Sequence, residues 1–281
     1  MATSGDEHAH HAGLAHDLRL LTRRRLFGLM AKAAAGLSLV PVLASCSTDN
    51  GDTTPDAGTG TSGDDSGTAG TGSCSKIPEE TGGPYPGDGT NGANALVLSG
   101  IVRSDITSSI AGATGVAEGV ALSVTLTVVD SATCEPLVGH AVYIWHCDRE
   151  GNYSMYSQAV VNENYLRGVQ VTDATGQVTF TTIFPACYSG RWPHIHFEVY
   201  PTLAAATSGT GRVATSQLAL PKAICDAVFA TTGYSASVTN LSRVSLATDM
   251  VFSDGATLEI PAMAGSVAAG YTAGLTVAVT G

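Results

Sequence analysis

From Leu96 to the C-terminus the chain is cut into short runs of β-branched or alternating residues: "LVLSGIVRSDI", "ALSVTLTVVD", "HAVYIWHCD", "GVQVTD", "GQVTFTTIF", "HIHFEVYP" and "LTVAVTG". Turn-forming stretches such as "DSATCEP", "DREGN" and "DATGQ" separate several of them. Runs of this length cannot build a helical bundle, and their spacing predicts an all-β fold, an antiparallel β-sandwich or barrel. No long segment carries sustained 3.6-residue periodicity; only "PKAICDAVFATTGYS" offers a short helix. The 33 glycines and 44% hydrophobic content suit one turn-rich domain with a sizeable core, placed at residues 76–281.

Two different segments precede it. In residues 1–46, "TRRRLFGLM" and then "AKAAAGLSLVPVLASC" read as a twin-arginine signal ending in a lipoprotein cleavage box, Leu43-Ala44-Ser45-Cys46. The apolar run from Ala33 to Ser45 is shorter than the roughly 20 residues a spanning helix needs. Lipidation at Cys46 would anchor an exported, extracytoplasmic protein to the cell envelope. His8, His10, His11 and His16 precede the cleavage point and would be lost with the signal. Residues 47–75 are almost wholly Gly, Thr, Ser and Asp, too polar to offset their chain entropy, and read as a tether.

Charge narrows the partners. The net charge is -11, and five of the 13 basic residues lie before Cys46, so the mature part is more acidic still. A nucleic-acid partner is excluded, because phosphate recognition needs a basic footprint. Of the six cysteines, lipidation of Cys46 leaves Cys74, Cys134, Cys147, Cys187 and Cys225, an odd number whose pairing the sequence leaves open. Oligomeric state is equally open.

The chemistry concentrates in "YSGRWPHIHFEVYP", Tyr188 to Pro201. On a strand His194 and His196 project from one face, about 6 to 7 Å apart along the backbone, so both imidazoles can reach one metal. Cysteines and carboxylates are scarce on that stretch, whereas Tyr188 and Tyr153 stand at loop edges, where functional side chains concentrate. A phenolate is a hard anion that suits ferric iron. His140 and His146 read as structural or surface residues.

Three segments in order, "PEETGGPYPGDG", "WHCDREGNYSMYS" and "TDATGQVTFTTIFPACYSGRWPHIHFEVYP", resemble the intradiol ring-cleavage dioxygenases, the non-haem iron enzymes that include catechol and protocatechuate dioxygenases. The pattern Tyr-x-Gly-Arg-x-x-His-x-His, with Trp145 eight positions before Tyr153, carries most of that likeness. The resemblance implies a β-sandwich, an Fe(3+) cofactor held by Tyr153, Tyr188, His194 and His196, and Arg191 facing the substrate. It also implies that Tyr153 gives way to the incoming diol and takes up its proton. The substrates would be a small aromatic diol and O2, with the ring opened between its two hydroxylated carbons. Two rivals predict different metal contents: a metal-free tethered β-sandwich binding module at the cell envelope, and a copper or zinc enzyme built on His194, His196 and a third ligand.

Overall fold

The computed structural model describes residues 74–281. The signal region 1–46 with Cys46, and the tether up to residue 73, lie outside the described residues. Eight strands form two four-stranded sheets. The first has the order β4-β1-β8-β7, from β1 (Ala121–Asp130), β4 (Gln177–Ile183), β7 (Ala262–Ser266) and β8 (Gly270–Val279). The second has the order β3-β2-β5-β6, from β2 (Ala141–Trp145), β3 (Arg167–Val171), β5 (His194–Tyr200) and β6 (Ala214–Ala219). The expected sandwich is present, with one departure from antiparallel order: β1 and β8 pair in parallel.

Alternation places the core. Leu122, Val124, Leu126 and Val128 on β1 face Val142, Ile144, Ile195, Phe197 and Val199 of the opposite sheet, all buried in one apolar cluster. Full burial of such side chains contributes on the order of 1.5–3 kcal/mol each. A second cluster lies on the far side of the second sheet, where Tyr143, Trp145, Val169 and Tyr200 pack against Leu96, Ile101 and Tyr153 from covering loops. Every residue of β2, β5 and β6 is therefore buried.

Several local expectations change. The run from Leu96 to Ile106 forms no strand; isolated bridges tie it to both sheets, Val102 to Val169 on β3 and Asp105 to Thr181 on β4. Its two apolar ends satisfy burial as a cover instead. A helix, α1 (Leu203–Ser208), follows β5, capped by the Thr202 hydroxyl at Ala205 N and closed by Gly209 at φ 66°. The expected short helix is two, α2 (Lys222–Phe229) and α3 (Ser235–Leu241), split at the turn holding Gly233, φ 95°. Cys74 is disulfide-bonded to Cys134, while Cys147, Cys187 and Cys225 are buried thiols. None of the described helices is long and apolar enough to cross a membrane.

Candidate metal centre

Register builds the site. Trp145 pairs with both Arg167 and His196, and His196 pairs with Gln217, so Arg167, Trp145, His196 and Gln217 form one row across all four strands. All four point away from the inter-sheet core, because side chains along a row share a face. His194 lies two residues before His196 on that face, and the Trp145 ring stacks on His196 with centroids 4.8 Å apart and planes within 1°.

Two loops bring the tyrosines to this row. The turn after β2 is organised by Asp148, whose carboxylate accepts from Glu150 N and Asn152 N. Tyr153 N then donates to the Ser157 hydroxyl. Arg167 fixes the next residue, donating to both the hydroxyl and the carbonyl of Ser154. The loop after β4 is pinned by α3: Ser237 Oγ accepts from Cys187 N, and Asn240 Nδ2 donates to Cys187 O. Gly151 lets the two loops meet, since a Cβ there would lie 3.3 Å from Tyr188 Cβ at a φ of 93°.

The four candidate ligands converge. His194 Nε2 lies 3.1 Å from His196 Nε2, 3.3 Å from the Tyr188 hydroxyl and 3.5 Å from the Tyr153 hydroxyl. Tyr153, His194 and His196 are each at most 2% exposed, and Tyr188 is half-buried, so the cluster opens towards solvent on the Tyr188 side. His194 Nδ1 stands 2.5 Å from the Trp192 carbonyl and must be the protonated nitrogen, which leaves Nε2 as a lone pair aimed into the cluster. Burial, followed by the charge of Arg191, pushes the His194 pKa well below its usual value. For His196 the causes are burial and then His194. Both rings are neutral, the form that binds a metal.

Donor chemistry is the test of fit. Among the described residues no three His, Cys, Asp or Glu side chains come together as a metal site, so two imidazoles must be completed by the phenols. Burial, and then the neighbouring Tyr188, hold the Tyr153 phenol well above its ordinary pKa. Only a strong local positive charge can draw off its proton. Two neutral imidazoles and two phenols with no carboxylate among them suit a trivalent, hard cation better than copper or zinc. His140 and His146 stay outside the cluster; His146 bonds the Cys147 carbonyl and the Thr182 hydroxyl and is structural.

Arg191 stands behind the pair, 2% exposed, with Nε donating to Asp249 at 3.0 Å and Nη2 to Gln217 Oε1 at 2.7 Å. Its guanidinium lies 5.9 Å from the Phe252 ring, which also meets His194 edge-on. Gln217 Nε2 continues to the Thr81 carbonyl, at the start of the Thr81–Pro86 segment that roofs the site. There Gly83, at φ 68°, approaches His196 so closely that a Cβ would sit 3.4 Å from Cε1, and Tyr85 packs on Tyr153 with centroids 4.9 Å apart. Sequence reasoning missed Gln217, Asp249 and Arg167. The register opposite His196 could have raised Gln217, whereas nothing local marks Asp249, which is 53 residues beyond His196.

A protein-family profile described as Dioxygenase matches residues 102–206. Chlorocatechol 1,2-dioxygenase of Rhodococcus opacus is 36% identical over 53 residues, which is 19% of this chain and 21% of that protein. The match thus spans about a fifth of this curated relative. A solved intradiol ring-cleavage dioxygenase from Tetranychus urticae superimposes with a TM-score of 0.58 at 28% identity, over 74% of this chain and 95% of its own. A second solved dioxygenase gives 0.56 at 27% identity, with the same coverage of each chain. The matched profile encloses all four converging donors, and nearly the whole of a solved intradiol ring-cleavage dioxygenase superimposes on the fold around them, so this chain is similar to that family in both sequence and fold.

Proposed function

We propose that this protein is a ferric dioxygenase that opens a catechol-type ring between its two hydroxylated carbons, both atoms of O2 ending in the diacid product. The convergence of Tyr153, Tyr188 and His196 within 3.5 Å of His194 Nε2 carries this reading. Tyr153, Tyr188, His194 and His196 would hold the ion. When bound, ferric iron supplies a Lewis-acidic centre at which a deprotonated diol and O2 can be brought together.

The protein's own groups do the rest. The Tyr153 phenolic oxygen, buried beside Tyr85, would take up a proton from the incoming diol and so leave the ligand set. Its high proton affinity in this environment favours that direction of transfer. Arg191, held by Asp249 and Gln217, orients its charge toward the ring carbon on which negative charge develops. Trp145 and the Thr81–Pro86 roof keep His196 out of water. At the cell surface, a lipid on Cys46 and the 47–75 tether would hold the domain off the membrane; Cys46→Ser should release the protein into the soluble fraction.

The test is a visible spectrum of the protein loaded with ferric iron, before and after catechol is added under argon. A red-brown band that moves to longer wavelength is expected. A protein that stays colourless after iron loading would overturn the reading and favour the metal-free binding module.

A further inference from the structure

The buried acidic and basic side chains of the domain are unequal in number. Among the described residues, Glu80, Asp88, Asp148, Glu198, Asp249 and Glu259 are buried acids, whereas Arg167 and Arg191 are the buried cations. Arg167 has no donor to spare, because its five N–H groups serve Ser154 Oγ and O, Pro86 O, Tyr143 Oη and Tyr85 O. Half-buried Arg149 and exposed Arg212 are paired with carboxylates of their own, Glu118 and Glu150 for the first, Asp88 and Glu198 for the second. Arg191 is therefore the cation available to the centre, and it comes with a countercharge.

Asp249 is 0% exposed and bonds four donors: Arg191 Nε and Trp192 N at Oδ2, Val251 N and Phe252 N at Oδ1. An oxygen pair that only accepts is a carboxylate. The Arg191–Asp249 pair is thus neutral as a unit, able to aim an N–H but without net charge for a second anion. With Tyr153 displaced and protonated, one phenolate and a doubly deprotonated diol already balance a trivalent ion, leaving it no positive charge to spare. A further carboxylate on the ring would lose its hydration in a site whose charges are already balanced, with only the Asp249-neutralised Arg191 to replace the water.

We propose that Asp249 sets the charge selectivity of this site, so that it takes catechols with neutral ring substituents and rejects those bearing a ring carboxylate. This rests on the dioxygenase reading above. The role is a positioning and electrostatic one, exerted through Arg191.

The experiment uses the iron-loaded protein at pH 7.5 with catechol, 4-methylcatechol, 3,4-dihydroxybenzoate and its methyl ester. Kd is read from the shift of the visible band under argon, and kcat/KM from product absorbance in air. The acid is expected to bind about 100-fold more weakly than catechol, whereas 4-methylcatechol stays within about tenfold, each tenfold step being one unit of the affinity scale. The ester, larger than the acid but uncharged, is expected to bind better than the acid. Asp249→Asn should shrink the gap between acid and ester about tenfold. Because that variant can fail to fold, the acid–ester comparison in the unaltered protein decides independently. An acid that binds as well as its ester overturns the inference while leaving the dioxygenase reading intact. If no diol moves the band, both fall together.

Discussion

The two sheets share one core and differ in their outer faces. On β1 and β4 the inner residues are buried and the outer ones, apart from Val129 and Ile183 near the strand ends, are exposed or half-buried; the outer pair Thr125 and Thr179 bonds hydroxyl to hydroxyl across the strands. On β5 both faces are buried, and the outer one carries His194, His196, Glu198 and Tyr200, polar side chains that a solvent-facing strand would simply expose. Burying polar groups costs free energy unless partners are supplied. The cover of loops supplies those partners, so the region that looks worst packed on hydropathy alone is the region organised for chemistry.

The sharpest way to break that contrast is to remove one donor from each outer face. Tyr188→Phe should lose bound iron and the visible band, as read by metal analysis and absorbance, because the remaining donors no longer balance a trivalent charge. Thr125→Ala, which deletes an exposed hydroxyl from the other sheet, should leave colour, iron content and turnover unchanged. Equal effects would dissolve the distinction between the faces. Next in size is Arg191→Ala. Turnover should fall about 10²- to 10³-fold, the scale for losing one preorganised charge-stabilising donor, with the iron band retained. Loss of iron in that variant would assign Arg191 to holding the metal rather than the reacting charge. The variant's Tm belongs beside its kinetics, since it leaves Asp249 buried without its arginine.

The shared core should respond alike from either side. Phe180 on β4 is fully buried in the inter-sheet cluster, and Phe197 on β5 belongs to the same cluster. Phe180→Ala should destabilise the domain by about 3–5 kcal/mol in denaturant unfolding. Thr181→Ala, one residue along and exposed, should stay within about 0.5 kcal/mol of the parent. Should the two cost the same, the alternation that defines this sheet would have no energetic meaning.

The same contrast explains what could be read from the residues. Alternation in "ALSVTLTVVD" and "GQVTFTTIF" reports a half-exposed sheet directly. His194 and His196 stood out at i and i+2 on one strand, and Tyr153 and Tyr188 at loop edges, but their union as one ligand set was implied by the family resemblance and not by spacing. The strand reading of Leu96 to Ile106 failed because a buried cover and a strand both need apolar residues at short intervals. The parallel β1–β8 pair joins segments some 150 residues apart, and no local pattern specifies direction at that range. Gln217 and Asp249 were invisible for the same reason: their roles exist only after β6 lies beside β5 and the segment after α3 folds back over Arg191.

The smallest expected effect concerns the edge of the site sheet. Glu259 is buried, with Oε1 accepting from the Ser216 hydroxyl at 3.4 Å and its own carbonyl accepting from Ala219 N. Burial, and then the nearby Glu80 charge, push its pKa up to about 8. The folded protein therefore keeps a proton that the unfolded chain releases near the ordinary glutamate value of 4.5. Its contribution to stability is complete below that value and is lost as pH rises toward about 8, because over this range the native state binds more protons than the unfolded one. Glu259→Gln keeps the shape and removes the titration. From pH 5 to pH 8 the Tm of the variant should gain on that of the parent, by about 3 °C for each kcal/mol that the retained proton contributes. Parallel Tm curves would mean that Glu259 reaches solvent, and that the burial of polar groups on this sheet stops at the row carrying His196 and does not extend to its β6 edge.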